Sequence, residues 1–208
     1  MAEESIFLSA GDPSGDNATA KVIESLLAKK NVTIFGLGGK RLKQLGQIQL
    51  ANPEDLAVIG FWEVAKQYFF FRRLFNQCLA EIKKRKPKLI VLVDYPGFNL
   101  RLAKKLKDLD IPIVYYISPQ LWAWGKKRIE QVQKYIDLMI PVLPFEEHFY
   151  KDSGVNVKYV GHYLLEDIPK EYIASPAPQV GHLALLPGSR RQEIERMLPT
   201  MLETAKLM

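Results

Sequence analysis

Residues 88–99 read KLIVLVDYPGFN. The apolar run LIVLV, 89–93, leads directly to Asp94, and a Pro-Gly pair follows at 96–97. Pro87 precedes the run and closes a long helical pattern, because proline cannot continue a helix interior. A short apolar run bounded in this way predicts a buried strand, with Asp94 at its carboxyl end. In an open parallel sheet this is the edge where ligands bind. The stretch therefore predicts a fold class and a candidate site together.

The same alternation of apolar strand and helix continues on both sides of this stretch. Continuous apolar strands separated by helices are typical of a parallel sheet that is covered on both faces. We therefore predict an α/β fold, a Rossmann-like doubly wound parallel sheet. The predicted strands are 5–11, 32–39, 88–94, 111–118, 137–144 and 157–161, and the predicted helices are 16–30, 61–86, 98–109, 125–135 and 145–152.

A change of composition divides the chain after residue 165. Residues 166–181 contain three prolines and few apolar residues, which indicates a linker after a domain at 1–165. A strand at 182–187 and a helix from Arg191 then begin a second unit, 182–208. One strand and one helix cannot bury their own apolar faces, so we expect most of a second domain to be missing from these 208 residues.

Composition narrows the classes of partner. A net charge of +6 suits an anionic partner, whether nucleic acid, a membrane surface or a phosphorylated small molecule. The cations are dispersed and no nucleic-acid module is recognisable, so we expect no nucleic-acid binding. One cysteine and three histidines predict neither a disulfide framework nor a metal site. With no export signal and no long apolar span, a cytoplasmic protein is expected.

The loop SAGDPSGD, residues 9–16, joins a predicted strand to a helix at the ligand-binding edge. Asp12 and Asp16 would repel a phosphate, so a ligand that carries hydroxyl groups is favoured. The alternative is a plain turn in which Asp16 caps the helix. The later GLGG, 36–39, does not match a dinucleotide fingerprint, and we predict no nicotinamide cofactor.

Asp94 could accept the proton of an attacking hydroxyl group if its surroundings tune its pKa toward the working pH. A helix cap is the alternative, although the Pro-Gly pair separates Asp94 from the predicted helix. Asn99, at the start of that helix, is a further candidate for substrate contact.

Two other segments bring polar and aromatic residues to strand ends. ISPQLWAWGKKR, 117–128, offers Trp122, Trp124 and Arg128 as parts of a substrate pocket, unless the two Trp residues only pack beneath a loop. PGSRR, 187–191, places a turn before a basic helix, where free backbone N–H groups and cations favour the binding of a diphosphate. The alternative is a plain turn that binds nothing. The candidate diphosphate contacts are Gly188, Ser189 and Arg190.

The long helix at 61–86 has two distinct faces. One carries a stripe that a core would cover: Phe61, Val64, Tyr68, Phe71, Phe75, Leu79 and Ile82. Aromatic residues mixed with cations lie opposite, which suits an anionic lipid surface unless another helix covers them. The predicted membrane contacts are Trp62, Lys66, Phe69, Phe70 and Arg73.

Taken in order, these motifs resemble those of the lipid-A-disaccharide synthases. The set SAGDPSGD, LAVIGFWEV, VDYPGFN, ISPQLWAW, LPFEEHFY, VGH and LLPGSR runs from residue 5 to about 196, nearly the whole chain. The resemblance implies the amino-terminal half of a two-domain GT-B glycosyltransferase, with acceptor and lipid contacts in the first domain and nucleotide contacts mostly in the second. It also implies catalysis without a required metal or cofactor.

The resemblance implies a reaction as well. UDP-2,3-diacylglucosamine would donate its sugar, with inversion, to 2,3-diacylglucosamine 1-phosphate. Asp94 matches the essential aspartate of the family, and Arg190 matches an arginine for the donor phosphates. Ser14, Gly15 and Asp16 match its active-site loop, which implies that they contact substrate. Asp12 stands where the family often has Glu. GLGGKRL, 36–42, replaces a GGPRM-like segment of the family, so the acceptor contacts of this segment are expected to differ.

The resemblance further implies a peripheral location at the inner membrane, on its anionic surface, and leaves a homodimer of the full-length form open. The sequence leaves two alternatives open. The chain could be a non-catalytic fragment that binds acceptor or lipid, or it could belong to another GT-B sugar-nucleotide enzyme.

Overall fold

The computed structural model describes residues 4–51, 64–123, 125–169, 181, 183–188 and 191–207. The chain divides into two compact units, Met1–Asp167 and Ile168–Met208. The first unit contains a six-stranded sheet in which every pair of neighbouring strands is parallel. The predicted α/β fold class is confirmed.

The strands of the sheet lie in the order β3-β2-β1-β4-β5-β6. Five of the six coincide with predicted strands, and only β3, with two residues, is too short to give an apolar pattern. Their bounds are β1 Ser5–Ala10, β2 Thr33–Leu37, β3 Ile48–Gln49, β4 Leu89–Val93, β5 Ile113–Tyr116 and β6 Leu138–Ile140.

Helices follow most strands, as the alternation predicts. Short 3-10 turns occupy 107–109, 126–128 and 163–167. Among the described residues, the helices of the first unit are α1 Pro13–Leu27, α2 Lys40–Gln44, α3 Val64–Arg85, α4 Pro96–Leu106, α5 Ile129–Tyr135 and α6 Pro144–Asp152, and the second unit contains α7 Arg191–Leu207.

The alternation of side chains along each strand separates the core into two layers. Ile6 and Leu8 of β1 pack with Ile23 of α1 on one face. Phe7 of β1 and Leu92 of β4 pack on the other face, in a cluster to which α3 and α4 contribute. Because both faces of the central strands are covered, most of their residues are apolar.

The order of the strands creates a switch point between β1 and β4. The two strands are hydrogen-bonded neighbours, and Ala10 pairs with Val93 at their carboxyl ends. From β1 the chain continues to β2 on one side, whereas from β4 it continues to β5 on the other. The loop after β1 and the loop after β4 therefore open a crevice at this edge, which is where doubly wound proteins bind ligands.

The buried face of helix α3 differs from the predicted stripe. Ile82 is buried and Phe71 and Phe75 pack against the core, as expected. Among the described side chains of this helix, 69–85, Leu74 and Cys78 are buried together with Ile82. Phe70 lies one turn before Leu74 and packs against the same cluster. Phe70 is thus partly covered by the core and also lines a pocket with Arg73, and its predicted membrane contact stays a prediction.

Two predicted strands are not formed. Residues 157–161 make a single parallel bridge, from Val157 to Met139 at the edge of the sheet, and the chain then turns away at Gly161, whose φ is +107°. Within 182–187, the described residues 183–187 are not in a strand, since a strand requires a paired neighbour. The predicted linker begins inside the 163–167 turn, and 170–180 lies outside the described residues.

Candidate functional site

Asp94 lies directly after β4, at the switch point. Its φ is +44° and that of Tyr95 is +45°, so two consecutive non-glycine residues adopt the left-handed conformation. Each such residue costs on the order of 1–3 kcal/mol and persists only where the surroundings enforce it. Helix α4 begins at Pro96 after Tyr95, without a side-chain cap. Asp94 therefore does not cap this helix.

The surroundings of Asp94 favour its protonated form. Partial burial is the main cause that raises the pKa of its carboxyl group, and the negative charge of Asp12 raises it further, while a backbone hydrogen bond from Tyr95 acts in the opposite direction. A carboxyl group tuned upward in this way is better suited to accept a proton than an exposed aspartate.

Asp12, rather than Asp16, caps helix α1. It stands just before Pro13, its Oδ1 accepts a hydrogen bond from the backbone N–H of Gly15 at 3.1 Å, and the hydroxyl of Ser14 donates to its Oδ2. Ser14 itself is exposed. The loop therefore brings one carboxylate and one exposed hydroxyl group to the edge of the crevice.

Asp16 is 4% exposed, and its carboxylate faces the start of helix α2. Backbone N–H groups donate to it from Gly39 at 2.7 Å, Arg41 at 3.0 Å and Leu42 at 3.2 Å. A carboxylate at a helix amino terminus satisfies N–H groups that have no partner within the helix. The predicted substrate contact of Asp16 is thus corrected to a structural role, in which it joins the first loop to α2.

The two loops at the switch point approach each other closely. A Cβ atom on Gly11 would lie 2.9 Å from the Tyr95 ring, and one on Gly15 would lie 2.7 Å from Oδ1 of Asp12. A larger residue at Gly11 would displace the Tyr95 ring, and one at Gly15 would displace the Asp12 carboxylate. The predicted contact of Gly15 with substrate stays a prediction, and the buried position gives this glycine a packing role in addition.

Asn99 is fully buried beneath Asp94. Its amide Nδ2 donates to the carbonyl oxygens of Val93 at 3.1 Å and Asp94 at 2.8 Å, and its Oδ1 accepts from the hydroxyl of Ser9 at 2.8 Å. Since no surface of Asn99 is accessible, the prediction that it contacts substrate is wrong. It supports the backbone of the site instead.

Tyr163 is a site residue that sequence reasoning missed. Burial chiefly raises the pKa of its hydroxyl group, and the charges of Asp12 and Asp94 raise it further. Tyr163 therefore lies within electrostatic range of both carboxylates. The signal in the sequence was the VGHY segment, residues 160–163, which spans the end of the predicted strand at 157–161.

Trp122 has a fixed orientation and a partly open face. Its indole Nε1 donates to Oε1 of Glu146 at 3.1 Å, its ring meets that of Phe145 edge to face at 5.1 Å, and it is 38% exposed. Glu146 is buried and also accepts the backbone N–H of Leu143 at 3.1 Å. The exposed face leaves the predicted substrate contact open, and Trp124 lies outside the described residues.

Arg128 is exposed near the same edge of the sheet. Its charge affects the buried hydroxyl group of Tyr115. Burial is the main cause that raises the pKa of Tyr115 well above its ordinary value, and Asp94 and Tyr150 raise it further. The positive charge of Arg128 lowers it. Asp94 and Arg128 therefore both lie within electrostatic range of one buried hydroxyl group.

The predicted diphosphate contacts fall in the second unit. Gly188 has a φ of +108°, and a Cβ atom there would lie 2.6 Å from Oε2 of Glu193. Ser189 and Arg190 lie outside the described residues. The diphosphate site stays a prediction.

The predicted membrane face is described only in part. Phe69 is 67% exposed and Arg73 is exposed, whereas Trp62 and the side chain of Lys66 lie outside the described residues. A pocket of about 500 Å³ adjoins this face, with Lys43 and Arg73 among its lining residues. The described part of α3 thus presents one exposed aromatic ring beside cations.

The described ranges offer neither a cluster of metal-ligating side chains nor a helix that could cross a membrane. No three or more His, Cys, Asp or Glu side chains gather there in a way that could hold a metal ion. None of the helices in these ranges has the length and hydropathy that crossing a membrane requires.

Comparison with known proteins gives a consistent family. The model of a family described as lipid-A-disaccharide synthetase matches residues 6–208. Similar proteins named lipid-A-disaccharide synthase come from Myxococcus xanthus (40% identical, covering 97% of this chain and 55% of the relative), Acidobacterium capsulatum (41%, 97% and 52%) and Coxiella burnetii (39%, 100% and 57%). The chain spans slightly more than half the length of these relatives.

A solved structure also resembles the chain. It is UGT73P12 of Glycyrrhiza uralensis complexed with glycyrrhetinic acid 3-O-monoglucuronide, with a TM-score of 0.51 and 13% sequence identity. The match covers 79% of this chain and 50% of that one. At this level of identity the likeness concerns the fold alone.

Proposed function

The chain belongs to the lipid-A-disaccharide synthetase family, and from this premise we propose that it is the acceptor-binding part of a hexosyltransferase of lipid A biosynthesis. The complete enzyme transfers 2,3-diacylglucosamine from UDP-2,3-diacylglucosamine to 2,3-diacylglucosamine 1-phosphate. The observation that carries the proposal is the carboxyl group of Asp94, which is held at the switch point with a raised pKa.

The proposed reaction needs a base on the acceptor side. The oxygen of the acceptor 6-hydroxyl forms a bond to carbon 1 of the donor sugar, and the bond from that carbon to the diphosphate breaks. UDP leaves with the electron pair, and the hydroxyl proton passes to Asp94. The attack comes from the face opposite the diphosphate, through an oxocarbenium-like transition state, and inverts the donor carbon.

The described residues around Asp94 suit an acceptor sugar. Trp122 offers a partly exposed aromatic face, Ser14 an exposed hydroxyl group and Arg128 an exposed cation. Such a combination of an apolar wall and a few polar groups is typical of small-molecule sites. We assign residues 188–190 to the binding of the donor diphosphate. Its other contacts would come from the part of the complete enzyme that this chain does not span.

The reaction is tested with the complete gene product and a radiolabelled donor. The proposal predicts disaccharide 1-phosphate and UDP when both lipid substrates are present, and neither product without the acceptor. UDP-N-acetylglucosamine, which lacks the acyl chains, serves as the matched donor control and should be a poor substrate. Absence of disaccharide with both lipids would contradict the proposal. Binding of the acceptor without turnover would favour the non-catalytic alternative.

We also propose that this protein contacts the anionic surface of the inner membrane from the cytoplasmic side through α3. The support is the exposed ring of Phe69 beside Arg73, and a neighbouring pocket with Lys43 in which no described lining residue is acidic. Sedimentation with phosphatidylglycerol vesicles should fall for Phe69→Ser and for Arg73→Gln. The control, Phe145→Ser, removes an exposed ring elsewhere. Equal binding by all three variants and the wild type would exclude this surface.

A further inference from the structure

Three buried polar side chains meet beneath Asp94. Ser9, Asn99 and Tyr115 are each 0% exposed, beside an apolar cluster that includes Phe7 and Leu92. Ser9 of β1 and Tyr115 of β5 both pair in register with Leu92 of β4, so they occupy one row across three adjacent strands. Because this row faces α4, Asn99 of that helix can reach it.

The contacts of these residues converge on one atom, the carbonyl oxygen of Asp94. The hydroxyl of Tyr115 donates to it at 2.5 Å and Nδ2 of Asn99 at 2.8 Å. A carbonyl oxygen has two lone pairs, so both are used. The hydroxyl of Ser9 donates to Oδ1 of Asn99 and thereby fixes the orientation of its amide group.

These bonds act on a residue in an unfavourable conformation. Asp94 has a φ of +44°, and on its other side its backbone N–H donates to the carbonyl oxygen of Tyr116 at 3.0 Å. The peptide group after Asp94 is therefore held by two side chains and the one before it by the sheet. Strained conformations persist where several contacts enforce them in this way.

We propose that Ser9, Asn99 and Tyr115 are positioning residues, which clamp the Asp94 carbonyl so that its carboxylate faces the acceptor crevice beside Asp12. This rests on the proposed role of Asp94 as the base. The three residues touch no substrate and act only through the backbone of Asp94. Without the clamp, the backbone leaves the left-handed conformation and the carboxylate moves toward solvent.

The test compares Tyr115→Phe with Tyr116→Phe in the complete gene product. Each variant loses one phenolic hydroxyl from neighbouring positions of β5, but Tyr116 belongs to the opposite face of the sheet. We expect kcat of Tyr115→Phe to fall roughly 10- to 100-fold, because small displacements of a catalytic group have effects of this size. The KM for the acceptor should change less than about twofold, and Tyr116→Phe should resemble the wild type.

A second readout does not depend on turnover. In a carbon-13 NMR titration, the pKa of the Asp94 carboxyl group should be lower in Tyr115→Phe than in the wild type, since burial and proximity to Asp12 both raise it. Ser9→Ala should shift it in the same direction by less, and it replaces Tyr115→Phe if that variant does not fold.

An unchanged Asp94 titration in a folded Tyr115→Phe variant would overturn the clamp. A wild-type enzyme that makes no disaccharide would instead overturn the proposed function, and a lowered pKa in the variant would then still support the clamp as a device that holds Asp94. The two failures are therefore distinguishable.

Discussion

The carboxylate of Asp12 raises the pKa of Asp94 across the switch point of the sheet. The two residues follow neighbouring parallel strands, in which Ala10 pairs with Val93. Asp12 is itself held by the N–H of Gly15 as the cap of α1. The fold thus fixes one carboxylate by a helix cap and sets it beside the proposed base.

This relationship predicts the pH dependence of the enzyme. The base must be ionised, so kcat/KM rises as the pH passes the pKa of Asp94. Asp12→Asn removes a negative charge that raises this pKa but keeps an acceptor for the helix cap. The acid limb of the pH profile should therefore move to lower pH. A limb that stays in place, or moves upward, would contradict the assignment; Asp108→Asn, an exposed control, should leave it unchanged.

The same raised pKa predicts an effect on stability. The pKa of Asp94 is higher in the folded state than in the unfolded state. Asp94 therefore adds to the free energy of unfolding below its unfolded pKa, and this contribution is lost as the pH rises through its folded pKa. Asp94→Asn should therefore be more stable than the wild type at neutral pH. The difference should disappear below about pH 4. Urea denaturation at both pH values measures it, and a less stable variant at neutral pH would refute it.

Asp16 offers a prediction about the architecture of the loop. Its carboxylate accepts three backbone N–H groups at the start of α2. Asp16→Ala leaves these donors without a partner and should lower the free energy of unfolding by about 1.5–3 kcal/mol. The exposed neighbour Asn17 is the matched control, and Asn17→Ala should have little effect in the same urea titration. Equal stability of the two variants would remove the structural role of Asp16.

Cys78, the single cysteine of the sequence, reports on the core beneath α3. It is fully buried, and burial raises the pKa of its thiol to about 12. Because the thiolate is the reactive form, the native protein should not react with a thiol reagent near pH 8. Reaction should begin only as urea unfolds the protein. Rapid labelling of the native state would mean that α3 does not cover this face of the sheet.

Much of the fold follows from local sequence, because five of the six strands are apolar runs between helix signals. The misses have physical causes. β3 is too short to show a pattern, and residues 157–161 look like a strand although only Val157 finds a partner at the sheet edge. On α3, periodicity located an amphipathic helix but did not reveal that Phe70 packs beside Leu74.

At the site, position along the chain identified Asp94 and the first loop, since both follow strands at the ligand edge. It could not separate side chains that face the crevice from those that face the protein. Asp16 and Asn99 are polar residues at loop and helix starts, and only their burial reveals that they serve the backbone. Tyr115 looked like an ordinary strand residue, because its partner, the Asp94 carbonyl, belongs to a neighbouring strand end.

The most direct test of the account is the turnover of Asp94→Asn, with Asp108→Asn and the wild type alongside, in the complete gene product with both lipid substrates. Asn has nearly the same shape as Asp but cannot accept the proton of the acceptor hydroxyl. The account predicts that kcat of Asp94→Asn falls by about 100-fold or more while Asp108→Asn stays near the wild type. An Asp94→Asn enzyme that turns over within about twofold of the wild type would contradict the assignment of Asp94 as the base.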